Sequence, residues 1–221
     1  VQTCALPIFF LYRLVVVRGA KWPRGRDLVE IFLFGFLGFT FQSFFYFGAI
    51  ERMASGLVSV IFYCFPVMAV LLAWWLLKHR PSRVLGVCVV LTVVGVALTA
   101  GEVSGAETAG IALTLAGALT YTFYVVLSSR VMPRYDGITG LVIVLFGAMC
   151  GWLMLWLVSP FGMEVKFPAT SSGWMNIAVL ATFGTIVAMG TFFAAMKRVG
   201  PGPTSVASAF EPVVTIAVGT M

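Results

Sequence analysis

Residues 47–67 read FGAIERMASGLVSVIFYCFPV, and residues 193–213 read FAAMKRVGPGPTSVASAFEPV. Laid over one another at an offset of 146 positions, Phe47, Ala49, Arg52, Gly56, Ser59, Val60, Pro66 and Val67 fall on Phe193, Ala195, Arg198, Gly202, Ser205, Val206, Pro212 and Val213. Gly38 falls on Gly184, which makes nine identities in about thirty positions without a gap. Chance likeness between apolar helices is the competing explanation. Against it, the match includes a proline inside an apolar run and the loop position in each copy. Self-similarity at a fixed offset is the mark of a duplicated architecture.

The surroundings of both copies place them in a membrane. The chain has 221 residues, of which 61% are apolar and 10% charged, with a mean hydropathy of +1.05. Soluble domains carry roughly 45–50% apolar and about 25% charged residues, so a soluble globule, a disordered chain and a coiled coil are all excluded. A membrane β-barrel is excluded because the apolar runs are continuous, where barrel strands alternate. Spans 31–50, 53–77, 84–101, 108–129, 137–163 and 167–196 contain no Asp, Glu, Lys or Arg, and 199–221 contains one charge, Glu211. With the stub 9–17 before them, these predict an all-α polytopic membrane protein.

The loops fix the orientation. Arg18, Lys21, Arg24 and Arg26, then Lys78, Arg80 and Arg83, then Arg130 and Arg134, then Lys197 and Arg198 occupy alternate loops. That is 11 basic residues on one side against 2, Arg52 and Lys166, on the other. The basic side is cytoplasmic. The net charge of +6 is explained by this asymmetry, so nucleic acid is not an expected partner. The loop at Glu51 is then outside and its counterpart at Lys197 inside, so the repeat is inverted, as in many secondary transporters.

The run YFGAIERMASGLVSVIFYCFPVMAVLLAW, followed by PSR and GVCVVLTVVGVALTAG, resembles the first repeat of EamA-type transporters of the drug/metabolite transporter superfamily. FFAAMKRVGPGPTSVASAFEPVV resembles the matching part of the second. The resemblance implies two inverted five-helix repeats in a ten-helix fold, with the end of helix 2 through helix 9 present. It assigns 9–101 to the first repeat and 102–221 to the second, and it implies a multi-pass protein of the bacterial inner membrane that exports amino acids, metabolites or toxic compounds. The chain departs from the family pattern at Lys78-His79, where Gly-Glu is usual after helix 4, and at Tyr121, where Trp is common in helix 6. Residues 1–8 (VQTCALPI) match the in-frame translation of a short-read sequencing adaptor and are set aside from the fold. With the missing first and last helices, that makes an internal fragment the expectation.

Glu211 is the leading functional candidate. A carboxylate within a span costs about 2.5–3.5 kcal/mol on insertion scales. Thr204, Ser208, Glu211 and Thr215 are spaced 4, 3 and 4 and so share one helix face. Helix–helix glue is the bland reading; contact with an amine or a proton is the functional one. Pro66 and Pro212 occupy equivalent positions and predict paired kinks, either static bends or gating elements. Thr114, Gly117, Tyr121, Tyr124 and Ser128 form a second stripe, either a helix seam or a face for an amphipathic solute. Gln42 shares the expected face of Gly35 and Gly38. Gly147 and Gly151 form a GxxxG that reads as close packing.

Chemistry beyond transport finds little support. Cys64, Cys88 and Cys150 lie in apolar runs without ligand spacing, and Cys4 lies near the start; no disulfide and no metal site are expected. His79 sits between Lys78 and Arg80 at a helix end and reads as an interfacial residue. No Gly-rich phosphate loop, paired carboxylates or nucleophilic triad can be assembled, so no catalytic residues and no cofactor are expected. The sequence therefore predicts a carrier for a small organic solute, in contact with the lipid bilayer and with homo-oligomerisation open. A membrane-embedded enzyme or lipid-handling protein and a channel stand behind that reading.

Overall fold

The computed structural model describes residues 10, 21–78, 86–87, 89–91, 94–95, 107–158, 169–179, 183 and 187–208. Among the described residues all regular structure is helical. Helix α1 spans Arg26–Leu33, a π-helical segment Phe34–Phe39, α2 Thr40–Ile50, α3 Ser55–Phe62 and α4 Phe65–Leu77. Helix α5 spans Thr108–Val131, a 3₁₀ turn Met132–Arg134, α6 Gly137–Val158, α7 Ser171–Val179, α8 Ala188–Val199 and α9 Pro201–Ser208. Four helical stretches are long and apolar enough to cross a bilayer: Arg26–Ile50, Ser55–Leu77 (interrupted at Tyr63 and Cys64), Thr108–Arg134 and Gly137–Val158. The protein is an all-α polytopic membrane protein. Its exterior agrees: Trp75 is 76% exposed and Leu157 70%, an inversion of the soluble pattern that lipid, not water, accommodates.

The chain divides into two compact units, Val1–Thr40 with Arg130–Lys197, and Phe41–Ser129 with Arg198–Met221. Each draws on both halves of the sequence. In the first unit α1 and the π segment lie along α6. The approach is so close that a Cβ at Gly35 would strike the Val144 carbonyl oxygen. A Cβ at Gly147 would lie 2.9 Å from the Phe36 nitrogen, and one at Gly151 2.7 Å from the Phe36 oxygen. The GxxxG of α6 is thus a seam within one chain. With no hydrophobic drive between helices in lipid, backbone proximity and its dispersion contacts hold such a seam together.

The π turn sits on that seam. The Thr40 hydroxyl donates to the Gly35 oxygen at 3.2 Å and to the Ala148 oxygen at 3.4 Å. One extra residue in a turn rotates everything after it. The buried series runs Ile31, Gly35, Phe39, Thr40 and Ser43. Gln42, expected on the face of Gly35 by α-helical spacing, is instead half-buried over α5, with its backbone oxygen 3.4 Å from where a Gly117 Cβ would stand.

α1 and α6 start at the same end. The Tyr135 hydroxyl donates to Asp27 Oδ2 at 2.6 Å, and Arg134 Nη1 lies 3.4 Å from the same carboxylate. The hydrogen bond to Asp27, then burial, raises the Tyr135 phenol above its ordinary pKa. This contact puts the loop before α1 and the α5–α6 connection on one face, as the alternation of basic loops requires. Asp136 caps α6, accepting from the Ile138 and Thr139 amides at 3.1 and 3.3 Å, which satisfies two orphan donors of the first turn.

Two boundaries differ from those read off hydropathy. The first long helix starts at Arg26, not at residue 31: Gly25, at φ 56°, ends the incoming loop, and an Arg26–Glu30 pair at 2.6 Å spans the polar first turn. Lys197 and Arg198, expected in a loop, belong to the last turn of α8, which runs to Val199 and stops at Gly200, φ 85°. Cations suit a helix C-terminus, and glycine suits the left-handed residue that follows. Lys78, following α4, adopts that left-handed conformation itself, at φ 55° and ψ 21°. Backbone geometry thus accounts for the glycine that the family usually has there.

Candidate functional site

In the second unit the run 53–77 is not one helix. α3 stops at Phe62, Tyr63 and Cys64 form a turn, and α4 starts with Pro66 in its first turn. Proline has no N–H to give and is favoured at a helix start, so the helix is interrupted for two residues just before Pro66, with helical bonds resuming at once from Met68 N to the Cys64 oxygen at 3.2 Å. Cys64 N reaches back to the Ile61 oxygen at 3.1 Å, a tightened 3₁₀-type bond.

Aromatic rings gather around this break. Phe65 meets Tyr121 edge-on at 4.9 Å between centroids, and Phe62 lies 5.7 Å from Tyr121. Tyr124 stands 5.8 Å from Tyr121 along α5. Tyr46 of α2 meets Phe62 at 5.3 Å and 83°, and its hydroxyl is 3.0 Å from Ser59 Oγ. The Thr122 hydroxyl points at the Phe65 carbonyl, at 3.4 Å, while bonding the Ala118 oxygen at 2.8 Å. Edge-to-face pairs of this kind add about 0.5–1.5 kcal/mol each beyond their burial, so the break is both a flaw in the backbone ladder and a well-packed point.

The structure thus brings Tyr121, Tyr124 and Pro66 into one cluster. Thr114, Tyr124 and Ser128 are buried on the inward face of α5. α9 packs against α4, and Thr204 there is buried with Ser208 half-buried. Thr204 donates to the Gly200 oxygen at 2.7 Å and Ser208 to the Thr204 oxygen at 3.0 Å. Thr114 and Ser128 likewise donate to Gly110 and Val125. These hydroxyls are stowed on their own helices, which is how such groups meet their needs without water. Glu211, Pro212 and Thr215 lie outside the described residues. Gln42 accepts from Ser43 at 3.4 Å and is not part of the aromatic cluster.

Tyr46, Ser59, Phe62 and Phe65 were not singled out as site residues from sequence. Ser59 carried a signal, as one of the repeat identities. The aromatics carried none, since Phe at helical spacing in an apolar run reads as ordinary packing. Among the described residues no group of three His, Cys, Asp or Glu is placed to hold a metal ion.

The duplication is visible in this geometry. α3 starts at Ser55 and α9 at Pro201, the same offset of 146. In each, the serine four residues on bonds the first residue's carbonyl: Ser59 to Ser55 and Ser205 to Pro201, at 2.9 and 2.7 Å. π geometry also recurs at Phe183 and Val187, close to the positions equivalent to Phe34–Phe39. The sequence pattern of the EamA-like transporter family matches residues 3–101 and again 108–221. The chain belongs to the EamA-like transporter family.

Relatives of this EamA-like protein carry transporter names. It is 23% identical over 216 residues to the uncharacterized inner membrane transporter YedA of Escherichia coli K12, covering 95% of this chain and 68% of that one. It is 29% identical over 119 residues to the uncharacterized transporter sll1319 of Synechocystis sp., covering 52% of this chain and 36% of that one. A solved crystal structure superposes over the whole chain and 77% of its own, with a TM-score of 0.76 at 19% identity; that likeness bears on the fold alone. The protein is a multi-pass inner-membrane protein of a transporter family.

Proposed function

We propose that this EamA-like protein is a secondary carrier that moves a small organic solute, an amino acid or related compound, out of the cell by alternating access. The observation that carries the reading is the duplicated helix start: α3 and α9 begin at equivalent residues and carry the same serine-to-carbonyl bond. Two copies of one element entering from opposite membrane faces make two gates from one design. The break before Pro66 supplies the hinge of one gate, and Pro212 that of the other. Residues 9–101 belong to the first five-helix repeat and 102–221 to the second, each incomplete at its outer end.

In this reading the solute lies against Tyr121 and Tyr124, with Thr204, Ser208 and Thr215 offering hydroxyls, and Gln42, outside the aromatic cluster, offering an amide elsewhere along the pathway. Aromatic faces take its apolar or cationic part. Glu211, the sole charge in its run, contacts an amine or takes up a proton, because an intramembrane carboxylate costs too much to keep for packing alone. The carrier needs no cofactor and performs no covalent chemistry.

Counterflow in proteoliposomes tests this. Vesicles preloaded with one candidate amino acid should accumulate the labelled compound transiently and saturably. Glu211→Gln should abolish net flux with expression and insertion intact. Sparing exchange while losing pH-driven flux would assign the proton role. Linear, unsaturable flux would instead indicate a channel, and normal transport by Glu211→Gln would reduce Glu211 to helix glue.

A further inference from the structure

A groove of about 630 Å³ opens on the outer surface of the first unit. Leu28, Val29 and Phe32 of α1 form one wall and Val142, Ile143 and Phe146 of α6 the other, with Phe10 and Trp22 completing the lining. The named lining side chains are all apolar. Leu28, Val29 and Phe146 are 40%, 55% and 47% exposed, so the groove lies on the surface of this unit, away from the Gly35–Gly147 seam.

Its position along the membrane normal follows from the helices. α1 and α6 both start at the Asp27–Tyr135 contact. Phe146 is nine residues past Gly137, about 14 Å at 1.5 Å per residue. The hydrocarbon core is about 30 Å thick, so the groove spans one leaflet, and the basic loops make that the cytoplasmic one. Trp22 lines the groove from four residues before the start of α1, a level at which an indole suits the headgroup boundary. The described segment that carries Trp22, Lys21 to Arg26, holds three basic residues and no Asp or Glu. Arg26 is engaged by Glu30 at 2.6 Å. Lys21 and Arg24 are exposed and meet no carboxylate among the described residues.

We propose that this groove holds one acyl chain of an anionic glycerophospholipid, with Lys21 and Arg24 on its headgroup phosphate. An apolar slot one leaflet deep fits a lipid tail. A zwitterionic headgroup would fill the slot equally well but would leave the two cations without net charge to neutralise. The two parts together select an anionic lipid. The site is separate from the aromatic cluster, and the inference stands whether or not the transport reading does.

Phospholipids brominated on the acyl chain quench tryptophan on contact, so they report the groove directly. Purified protein in mixed micelles would be titrated with brominated phosphatidylglycerol or brominated phosphatidylcholine. The difference between wild type and Trp22→Phe isolates the Trp22 signal. Each basic residue near an anionic surface contributes about fivefold, so a preference for phosphatidylglycerol of about 25-fold is expected for the pair. Lys21→Gln with Arg24→Gln should bring that preference close to one. Val29→Phe should block the slot and weaken quenching by both lipids. Native mass spectrometry of the unmodified protein gives an independent reading, with phosphatidylglycerol or cardiolipin retained and phosphatidylcholine lost. Equal quenching by the two lipids, a preference that survives the double substitution, or quenching indifferent to Val29→Phe would each overturn the proposal.

Discussion

Gly35→Ala places one methyl group where there is no room for it. The new Cβ would strike the Val144 carbonyl oxygen and lie 2.7 Å from its carbon and 2.9 Å from the Val144 Cα. All three are backbone atoms of α6, so no rotamer change relieves the contact. The helices must part by about 1 Å, and overpacking of this kind costs about 1–3 kcal/mol. Parting also lengthens the Thr40–Ala148 bond, already 3.4 Å. Alanine's helix propensity returns up to about 1 kcal/mol, so a control with the same gain and no clash is needed. Gly190 in α8 has nothing within 4 Å of its Cβ position. Thermal unfolding in detergent, followed by tryptophan fluorescence, should put Gly190→Ala at or above wild type. At about 2–4 °C per kcal/mol for a chain of this length, Gly35→Ala should unfold about 2–12 °C below Gly190→Ala. Equal midpoints for the two variants would show that the seam is looser than described and would refute the reasoning.

Other expectations follow from the same geometry. Lys78→Gly should raise the unfolding midpoint, because a left-handed non-glycine residue costs about 1–2 kcal/mol and Lys78 sits at φ 55°; a drop would mean that its side chain matters more than its backbone. In a cysteine-depleted background an impermeant maleimide should label Ala54→Cys in intact cells and miss Ser82→Cys, and the reverse pattern would invert the topology. Asp27→Asn should lower the Tyr135 phenol pKa toward its ordinary value, since the Asp27 hydrogen bond is the largest cause of its elevation; the tyrosinate absorbance difference against Tyr135→Phe reads this. Tyr46→Phe should cost about 0.5–1.5 kcal/mol of stability, the usual worth of one hydrogen bond, because its hydroxyl meets Ser59 at 3.0 Å.

Much of the architecture was legible before any coordinates. Membrane insertion depends on hydropathy summed over some twenty neighbouring residues, and neighbours are what a sequence displays. Thus the stretches 31–50, 53–77, 108–129 and 137–163 were readable as spans, and the start of α1 and the α5–α6 connection as lying on one face. The 146-residue offset was readable because it is a spacing within the sequence, and the starts of α3 and α9 fall at the same offset. The Lys78 departure from the family pattern was visible as well, though not its meaning.

What tertiary structure decided depends on pairs of residues far apart in the chain. The GxxxG at Gly147 and Gly151 could have faced lipid, another copy or this chain; only the placement of Phe32, Phe36 and Thr40 against it made it an internal seam. The π turn at Phe34–Phe39 has no local composition to announce it. It sits where Thr40 reaches both Gly35 and Ala148, 5 and 108 residues away, and it moves Gln42 off the expected face. The rings around the break before Pro66 come from α2, α3, α4 and α5, and no window of sequence holds them together. Hydropathy is local and additive, so the chain carries it openly, whereas close packing and ring geometry are relations between segments and exist only once the helices have met.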